Sequence, residues 1–286
     1  MTVDGSSEGR TPAENAELAL LLEVAGTPKP GNVDRERDLP DLRFEHFLAG
    51  AVGARRGLEL AANGAPVGEA FEQGVAHMSA QSGGNTQFGA LLLLVPLVKA
   101  AVERELTPMG ATAVVEATTV EDAAAFYRAF EHVDVFVGDP PEDATAPDVE
   151  EGADAVDEIR EEGLTMYDVI AETPAENGIS DEYTGGFRRT FEAADEIRSL
   201  SGPVTARAAA TYLDLLAEAP DALVARRKGK GVARQVMVRA QEAREGDGAH
   251  VRAFAEALVE EGINPGATAD LVAAGLFVAL ERGLDV

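Results

Sequence analysis

The 286-residue sequence contains no cysteine and no tryptophan, and only four of its 24 basic residues are lysines. Without cysteine the chain can form no disulfide bond, no thiolate metal site and no cysteine nucleophile. Aromatic residues make up 5% of the chain, although 45% of all residues are hydrophobic. That apolar content is sufficient for a sizeable core in one large domain or two tightly packed ones, built mostly from aliphatic side chains.

Long apolar runs and basic patches are also lacking. The longest apolar run, Ala90 to Val98, is too short to span a bilayer and contains Pro96. The first fifteen residues are polar and acidic, unlike a secretory leader. No basic stretch is long enough to follow a phosphate backbone. We therefore expect a cytoplasmic protein with neither a membrane nor a nucleic acid as partner.

Acidic residues dominate the charge of the chain. The 51 acidic residues outnumber the 24 basic ones, which gives a formal net charge of −27. Such a charge destabilises a compact state by self-repulsion, but in molar salt the Debye length falls to about 3 Å and the repulsion is screened. The composition therefore indicates a halophilic protein. A disordered acidic chain is the alternative, and the apolar content and periodicity argue against it.

Helix signals recur along the whole chain. Thr11-Pro12 followed by Glu14 is typical of a capping box, and the apolar spacing downstream has a helical period. We predict helices at residues 12–25, 43–62, 66–81, 86–103, 119–130, 153–161, 165–172, 180–199, 204–218, 221–226, 230–245, 248–262 and 268–283. Residues 135–137 are the only strand-like stretch, and 138–152 have the composition of a surface loop.

These patterns predict an all-α protein, a single-domain multi-helix array with a polar cleft formed by loops between the helices. We expect a polar N-terminal tail over residues 1–14 and one helical domain over residues 15–286. Apolar helix faces leave room for a homodimer, although no feature of the sequence specifies one.

The first segment that is unlike ordinary helix surface runs from residue 23 to residue 35. Two prolines and a glycine restrict its backbone. Its polar side chains are Glu23, Lys29, Asn32, Asp34 and Arg35. Cations neutralise phosphates and carboxylates hold Mg²⁺, so the segment is a candidate site for a polyanion with its metal. A proline-stiffened turn with solvated charges is an equally weighted alternative.

A second segment, residues 82–89, places two glycines before a helix. Free backbone amides at a helix N-terminus attract anions, and Asn85 or Thr86 can cap the helix. A simple glycine turn with a cap is the alternative, and local sequence alone favours it.

Two further segments lie near the end of the sequence. Residues 225–231 form a basic run that includes Arg226 and Lys228. Asn264 precedes the last predicted helix, with Thr268 as its expected N-cap and Asp270 in its first turn. Three of the four lysines lie in the basic run or the first segment, which indicates point-charge contacts to phosphate.

Taken in this order, the segments resemble the triphosphoribosyl-dephospho-CoA synthase family. The stretches that carry the resemblance are residues 23–34, 84–86, 220–231 and 264–271. The first and last are the most specific. The resemblance covers about residues 15–284 and is weakest between 100 and 200. Members of the family are all-helical, in agreement with the periodicity.

The resemblance implies a transferase that moves the triphosphoribosyl group of ATP to the 2′-hydroxyl of 3′-dephospho-CoA and releases adenine. It implies ATP as a substrate and Mg²⁺ as a cofactor. Asp34 and Glu23 would be catalytic, with Asp34 also holding the metal. The implied substrate-binding residues are Lys29, Asn32, Arg35, Asn85, Thr86, Arg226, Lys228, Asn264, Thr268 and Asp270.

The chain departs from the family pattern at two points. Bacterial members follow the first segment with Gly-x-His-x-Asp-Met, whereas residues 38–46 here contain His46 without that pattern. Gln87 and Phe88 stand where a histidine and a basic residue are usual. Two alternatives therefore stay open, a related ATP-dependent transferase with another acceptor and a non-catalytic helical nucleotide-binding protein.

Overall fold

The computed structural model of the chain describes residues 9–137, 144–173 and 178–286. The α-helices within these ranges are α1 Pro12–Ala25, α2 Phe44–Ala62, α3 Val67–Met78, α4 Phe88–Glu103, α5 Pro108–Val115, α6 Val120–Ala129, α7 Val156–Glu162, α8 Met166–Ala171, α9 Gly178–Thr184, α10 Arg188–Ser199, α11 Val204–Glu218, α12 Ala222–Lys228, α13 Lys230–Glu245, α14 Gly248–Glu260 and α15 Gly266–Glu281. A 3₁₀ segment covers Val149–Ala155. No strand occurs in the described ranges, so the predicted all-α class is confirmed.

The capping signal predicted at Thr11 produces the expected helix start. At α1, the Thr11 hydroxyl accepts from the Glu14 amide while Glu14 accepts from the Thr11 amide. These reciprocal bonds satisfy backbone donors that the first helical turn leaves unpaired. Residues 1–8 of the predicted tail lie outside the described ranges, and α1 already begins at Pro12.

Three sequence predictions differ from the structure. The helix predicted over 180–199 is two helices, α9 and α10, because the chain turns at Gly185 to Phe187 to bury the Phe187 ring completely. Helix α5 was not predicted, although Thr107 caps it by accepting from Gly110 N. Thr268 is not an N-cap, because α15 begins two residues earlier at Gly266.

One main hydrophobic core joins the helices, as expected for a single domain. Helices α4 and α15 lie at its centre, with most of their side chains buried. Their N-terminal turns meet, since a Cβ at Gly89 would overlap the Asp270 carboxylate and lie 2.9 Å from its Cγ. Two central helices therefore begin side by side, and their free amides face the same region.

None of the helices in the described parts of the chain combines the length and apolarity that a bilayer crossing requires.

Candidate active site

A cavity of about 440 Å³ opens where α4 and α15 begin and where α1 and α12 end. Its polar end is lined by Glu23, Asn32, Asn85, Thr86, Arg226, Asn264 and Asp270. Its other end, which we call the apolar arm, is lined by Leu92, Phe126, Phe130, Val149, Val169 and Ile170. A second cavity, of about 680 Å³, shares six wall residues with the first: Leu42, Asn85, Phe130, Asp134, Arg227 and Asn264. The two cavities therefore adjoin along a wall that includes residues of the polar end and of the apolar arm.

The loop from Thr27 to Asp34, here the Lys29 loop, is held together by the Asp34 carboxylate. Its Oδ2 accepts from Thr27 Oγ1 and from the Lys29 amide, both at 3.0 Å, and its Oδ1 accepts from the Glu36 amide at 2.9 Å. Asp34 is completely buried and is not part of the cavity wall. The structure thus gives both carboxylate oxygens a role in fixing the loop.

The Lys29 ammonium lies behind the cavity wall and contacts two residues that form it. Its Nζ donates to Glu23 Oε1 and, at 3.2 Å, to Asn32 Oδ1, and it lies 6.0 Å from the centre of the Tyr212 ring. Burial raises the pKa of Glu23, the neighbouring Lys29 lowers it, and the charge of Asp34 raises it further. Lys29 therefore orients Glu23 and Asn32 towards the cavity.

The Lys29 loop is locked to the loop that precedes α15. Asn32 Nδ2 donates to Asn264 Oδ1 at 2.9 Å. The buried Tyr212 hydroxyl lies 2.9 Å from the Pro30 carbonyl oxygen and 3.3 Å from that of Pro265. Two asparagines that are 232 positions apart are thereby held next to each other at the polar end of the cavity.

Gly31 provides the close approach between these two loops. Its φ is +74°, and a Cβ there would overlap the Ile263 carbonyl oxygen and lie 2.9 Å from Pro265 Cδ. Gly31→Ala should therefore separate the loops and lower both the melting temperature and the activity. Gly163→Ala is the matched control, because Gly163 has a φ of +71° and no atom near its Cβ position. It should show only the left-handed strain of about 1 kcal/mol. Equal losses of stability in thermal unfolding of the two variants would contradict the close packing of the loops.

Asp270 projects from the second turn of α15 over the start of α4, because α15 begins at Gly266 and the predicted position in the first turn is wrong. Burial raises its pKa well above the ordinary aspartate value, and the charges of Glu23 and Asp221 raise it further, while the Ala90 amide opposes the shift. Two carboxyl groups with raised pKa values, Glu23 and Asp270, thus line the same end of the cavity. Such pairs are typical of sites that hold cations or transfer protons.

Arg226 supplies a cation to the same cavity. Its Nε is buried and has no hydrogen-bond partner. Burial lowers the pKa of this guanidinium, an effect that the charges of Asp221 and Asp270 oppose. A buried N–H group without a partner is costly, so an anionic ligand that reaches Arg226 satisfies it.

Asp221 connects the helices that carry Arg226 and Asp270. Its carboxylate caps α12 by accepting from Val224 N at 3.0 Å, and it accepts from the amide and hydroxyl of Thr268 at 2.8 and 2.7 Å. The Thr268 hydroxyl is thereby directed to Asp221 and away from the cavity. Asp221 keeps the start of α12 and the start of α15 in register.

The turn before α4 docks on α2. Asn85 Oδ1 accepts from Phe88 N at 3.1 Å, but the N-cap position of α4 is Gln87, so Asn85 satisfies an amide of the first turn without occupying the predicted N-cap position. Thr86 Oγ1 lies 3.1 Å from Gln87 Oε1, and Gln87 Nε2 donates to the Phe47 carbonyl at 3.0 Å. Asn85 and Thr86 are thus placed on the cavity wall by Gln87, at a position where the sequence departs from its family.

The structure brings seven of the predicted site residues together as the polar end of the cavity. The other five lie elsewhere: Lys29 and Asp34 behind the wall, Thr268 on Asp221, Arg35 exposed directly after the Lys29 loop, and Lys228 exposed beside Gly262. Sequence reasoning missed the positioning roles of Tyr212 and Asp221. Only the N-cap spacing of Asp221 was visible in the sequence.

Comparisons with known proteins agree with this geometry. Residues 9–285 match the profile of a family described as CitG, ATP:dephospho-CoA triphosphoribosyl transferase. The fold is similar to a crystal structure from Archaeoglobus fulgidus that carries the provisional name triphosphoribosyl-dephospho-CoA synthase. That similarity has a TM-score of 0.70 and 26% identity, and it covers 84% of this chain and 100% of the other. No curated protein sequence matches the chain. Because the matched residues cover nearly the whole chain, including the cavity and its supporting helices, the chain belongs to the family of ATP:dephospho-CoA triphosphoribosyl transferases.

Proposed function

We propose that the cavity carries out the family's reaction, the transfer of the triphosphoribosyl group of ATP to the 2′-hydroxyl of 3′-dephospho-CoA. The observation that carries the proposal is the pairing of two carboxyl groups, the buried Glu23 and the half-buried Asp270, with the buried and unpartnered Nε of Arg226. The C1′–N bond to adenine breaks, a C1′–O bond to the acceptor forms, and adenine leaves with the bonding electrons and a proton. The transition state has oxocarbenium character, as in other glycosyl transfers.

Asp270 is the proposed general base in this reaction. Its raised pKa brings it closer to neutrality, where a carboxylate is a more effective base. It accepts the proton of the attacking hydroxyl. Glu23, which Lys29 orients, places negative charge where the ribose becomes cationic. Asp34, predicted as base and metal ligand, we now assign to the shaping of the Lys29 loop, because its oxygens already accept three hydrogen bonds.

Arg226 is the proposed phosphate ligand, and Asn32 and Asn264 the proposed ligands of the ribose hydroxyls. Mg²⁺ usually takes one or two carboxylates together with substrate phosphates rather than an all-protein cage. Glu23, the carboxylate that is not assigned as the base, fits that mode of binding, and no cluster of three or more His, Cys, Asp or Glu side chains suited to a metal occurs in the described ranges. When bound, Mg²⁺ supplies positive charge that offsets the triphosphate.

The proposed function is tested by adenine release. The protein is incubated in molar KCl with ATP, Mg²⁺ and 3′-dephospho-CoA, and free adenine is followed by chromatography. Adenine that depends on the acceptor supports the proposal. Release of ADP or pyrophosphate would replace it with a different ATP-dependent transfer. Nucleotide binding without any turnover, measured as a rise in melting temperature, would favour a non-catalytic role.

The pH dependence of the reaction should follow Asp270. A base must be deprotonated, so a raised pKa moves the acidic limb of kcat/KM to higher pH than an ordinary aspartate gives. As the pH is lowered, we expect activity to begin to fall at a pH well above 4, which is the region where an unperturbed carboxyl group titrates. An acidic limb at the ordinary value, in a protein shown to remain folded there, would remove Asp270 from this role.

We also propose that the protein is halophilic. Its net charge of −27 produces self-repulsion that KCl screens, as the Debye length falls from about 10 Å at 0.1 M to about 3 Å at 1 M. The free energy of unfolding should therefore rise with KCl over this range, as measured by denaturant titration. A stability independent of salt would contradict this origin of the acidic composition. The expected homodimer and the absence of a nucleic-acid partner stay predictions.

A further inference from the structure

The apolar arm has no use in binding a triphosphate or a ribose. Its walls come from α4, α6, α8 and the segment after residue 144, and they consist mainly of aliphatic and phenyl groups. An apolar recess that opens directly into a polar catalytic end is typical of a site for a ligand with one charged and one neutral part.

Charge disfavours phosphate in this arm. The charged side chains that residues 126–180 contribute to the cavity wall, within the described ranges, are all acidic: Asp134, Asp148 and Glu172. The basic side chains in the wall come from one short stretch, residues 226–230, and one of them, Arg227, lies over the Phe136 ring with its guanidinium 5.3 Å from the ring centre. A phosphate group can meet a cation there, whereas among the aliphatic and phenyl groups of the arm it would have none, which favours a neutral occupant.

The aromatic side chains of the arm are packed against one another and present no flat platform. The rings of Phe126 and Phe130 lie 5.3 Å apart at 85°, and the neighbouring Phe88 ring lies 5.1 Å from that of Phe130 at 61°. In such edge-to-face pairs, one ring's edge covers the face of its neighbour. The Phe136 ring, also on the cavity wall, is covered on one face by the Arg227 guanidinium. Stacking of a nucleobase needs an open face, so this wall favours an aliphatic chain over the adenine of ATP.

We propose that the apolar arm binds the pantetheine chain of the acceptor, and that this contact selects the acceptor. The inference rests on the proposed function, which places the acceptor's ribose hydroxyl at Asp270. Pantetheine is uncharged, and its aliphatic segments alternate with amide groups. Thr173 and Ser180, which also line the cavity, supply uncharged polar atoms beside the apolar side chains. The basic stretch 226–230 lies on the cavity wall where the acceptor's pyrophosphate would follow.

Ala146→Trp tests this assignment by filling the arm. Ala146 is half-buried on the cavity wall, and its backbone amide, which donates to Glu172 Oε2 at 2.8 Å, is kept in the variant. Ala210→Trp, on the exposed side of α11, is the matched control. The chain has no tryptophan of its own, so each variant contains a single fluorophore. A blue-shifted emission from Ala146→Trp relative to the control verifies that the indole occupies the arm.

Dissociation constants measured by calorimetry for pantetheine, 3′-dephospho-CoA and ATP then decide the proposal without requiring turnover. We expect Ala146→Trp to abolish pantetheine binding and to weaken dephospho-CoA binding about a hundredfold, because several methylene groups lose their burial. The dissociation constant of ATP for Ala146→Trp should stay within about twofold of the wild-type value. For Ala210→Trp the dissociation constants of all three ligands should do so. If Ala146→Trp weakened ATP binding and left dephospho-CoA binding unaffected, the arm would hold the adenine of the donor and the proposal would be overturned. A wild-type protein that binds no pantetheine would also overturn it.

Adenine release by the wild-type protein separates this inference from the proposed function. Pantetheine binding that Ala146→Trp abolishes, in a protein that releases no adenine, would support the arm and reject the reaction. Acceptor-dependent adenine release that Ala146→Trp leaves unchanged would support the reaction and reject the arm.

Discussion

Asp270→Asn should lower acceptor-dependent adenine release by about a hundredfold or more and at the same time raise the melting temperature at neutral pH. The loss of activity follows from the removal of the proposed base at the polar end of the cavity. Asparagine has nearly the same shape, and its Oδ1 can still accept from the Ala90 amide, which lies beside the Asp270 carboxylate. The start of α4 should therefore keep its position, and the loss should appear in kcat more than in the KM for ATP.

The gain in stability follows from the raised pKa of Asp270. The pKa of the Asp270 carboxyl group is raised in the folded protein. Such a group contributes its full stabilisation at any pH below the pKa that it has in the unfolded chain. That stability is lost as pH rises through the folded pKa. At neutral pH the wild-type protein is therefore destabilised by a desolvated carboxylate next to Glu23 and Asp221. The neutral side chain of Asp270→Asn removes this destabilisation. The difference in melting temperature should shrink as the pH is lowered.

Asp154→Asn is the matched control for this variant, because Asp154 is exposed and lies outside the cavity. It should change neither the melting temperature nor the activity beyond the small effects of surface substitutions, about 0.5 kcal/mol. An Asp270→Asn protein that turns over like the wild type would exclude Asp270 as the base. A lower melting temperature at neutral pH would show that the carboxylate is stabilising, contrary to the direction of its pKa.

Lys29→Met should destabilise the protein by about 3–5 kcal/mol, the usual cost of leaving a buried charge without its partner. Lys29 is completely buried, and its ammonium is the cation that pairs with Glu23. Methionine has a similar length and no charge, so packing changes little while the Glu23 carboxylate loses its counter-ion. Activity should also be lost, because Glu23 and Asn32 are no longer held towards the cavity.

The double variant Lys29→Met/Glu23→Gln separates charge from packing. Both partners are then neutral, and we expect it to recover much of the stability lost in Lys29→Met while remaining inactive. Denaturant unfolding of the two single variants and the double variant gives the coupling energy. A double variant no more stable than Lys29→Met would show that the loss arises from packing instead of from the unpaired charge.

The helices could be predicted from the sequence because each carries its own signal. The capping box at Thr11 and the apolar spacing of α2 are local, and local patterns survive in the folded chain. The break between α9 and α10 could not be predicted in this way, because it depends on the burial of Phe187 against residues distant in sequence. Thr107 shows that a cap signal before a short helix is easily overlooked.

The site could be predicted only as a set of segments. Charged and amide side chains in proline- and glycine-rich loops indicate a polar site, but they do not indicate which atoms turn inwards. Asp34 satisfies its own loop, whereas Asn32, two residues away, faces the cavity. The contact between Asp221 and Thr268 joins positions 47 apart, and its partners have ordinary capping sequences. The side chains of the apolar arm have the same periodicity as core residues.

The most direct test of the proposed triphosphoribosyl transfer is the mass of the product formed from ATP and 3′-dephospho-CoA. We expect an acceptor heavier by one ribose with all three phosphates of ATP, together with an equal amount of free adenine. Hydrolysis of the product to its fragments should place the new bond on the ribose of the acceptor. An acceptor that gains only a phosphate or a nucleotidyl group, or that keeps its original mass while adenine is released, would contradict the transfer that we assign to this cavity.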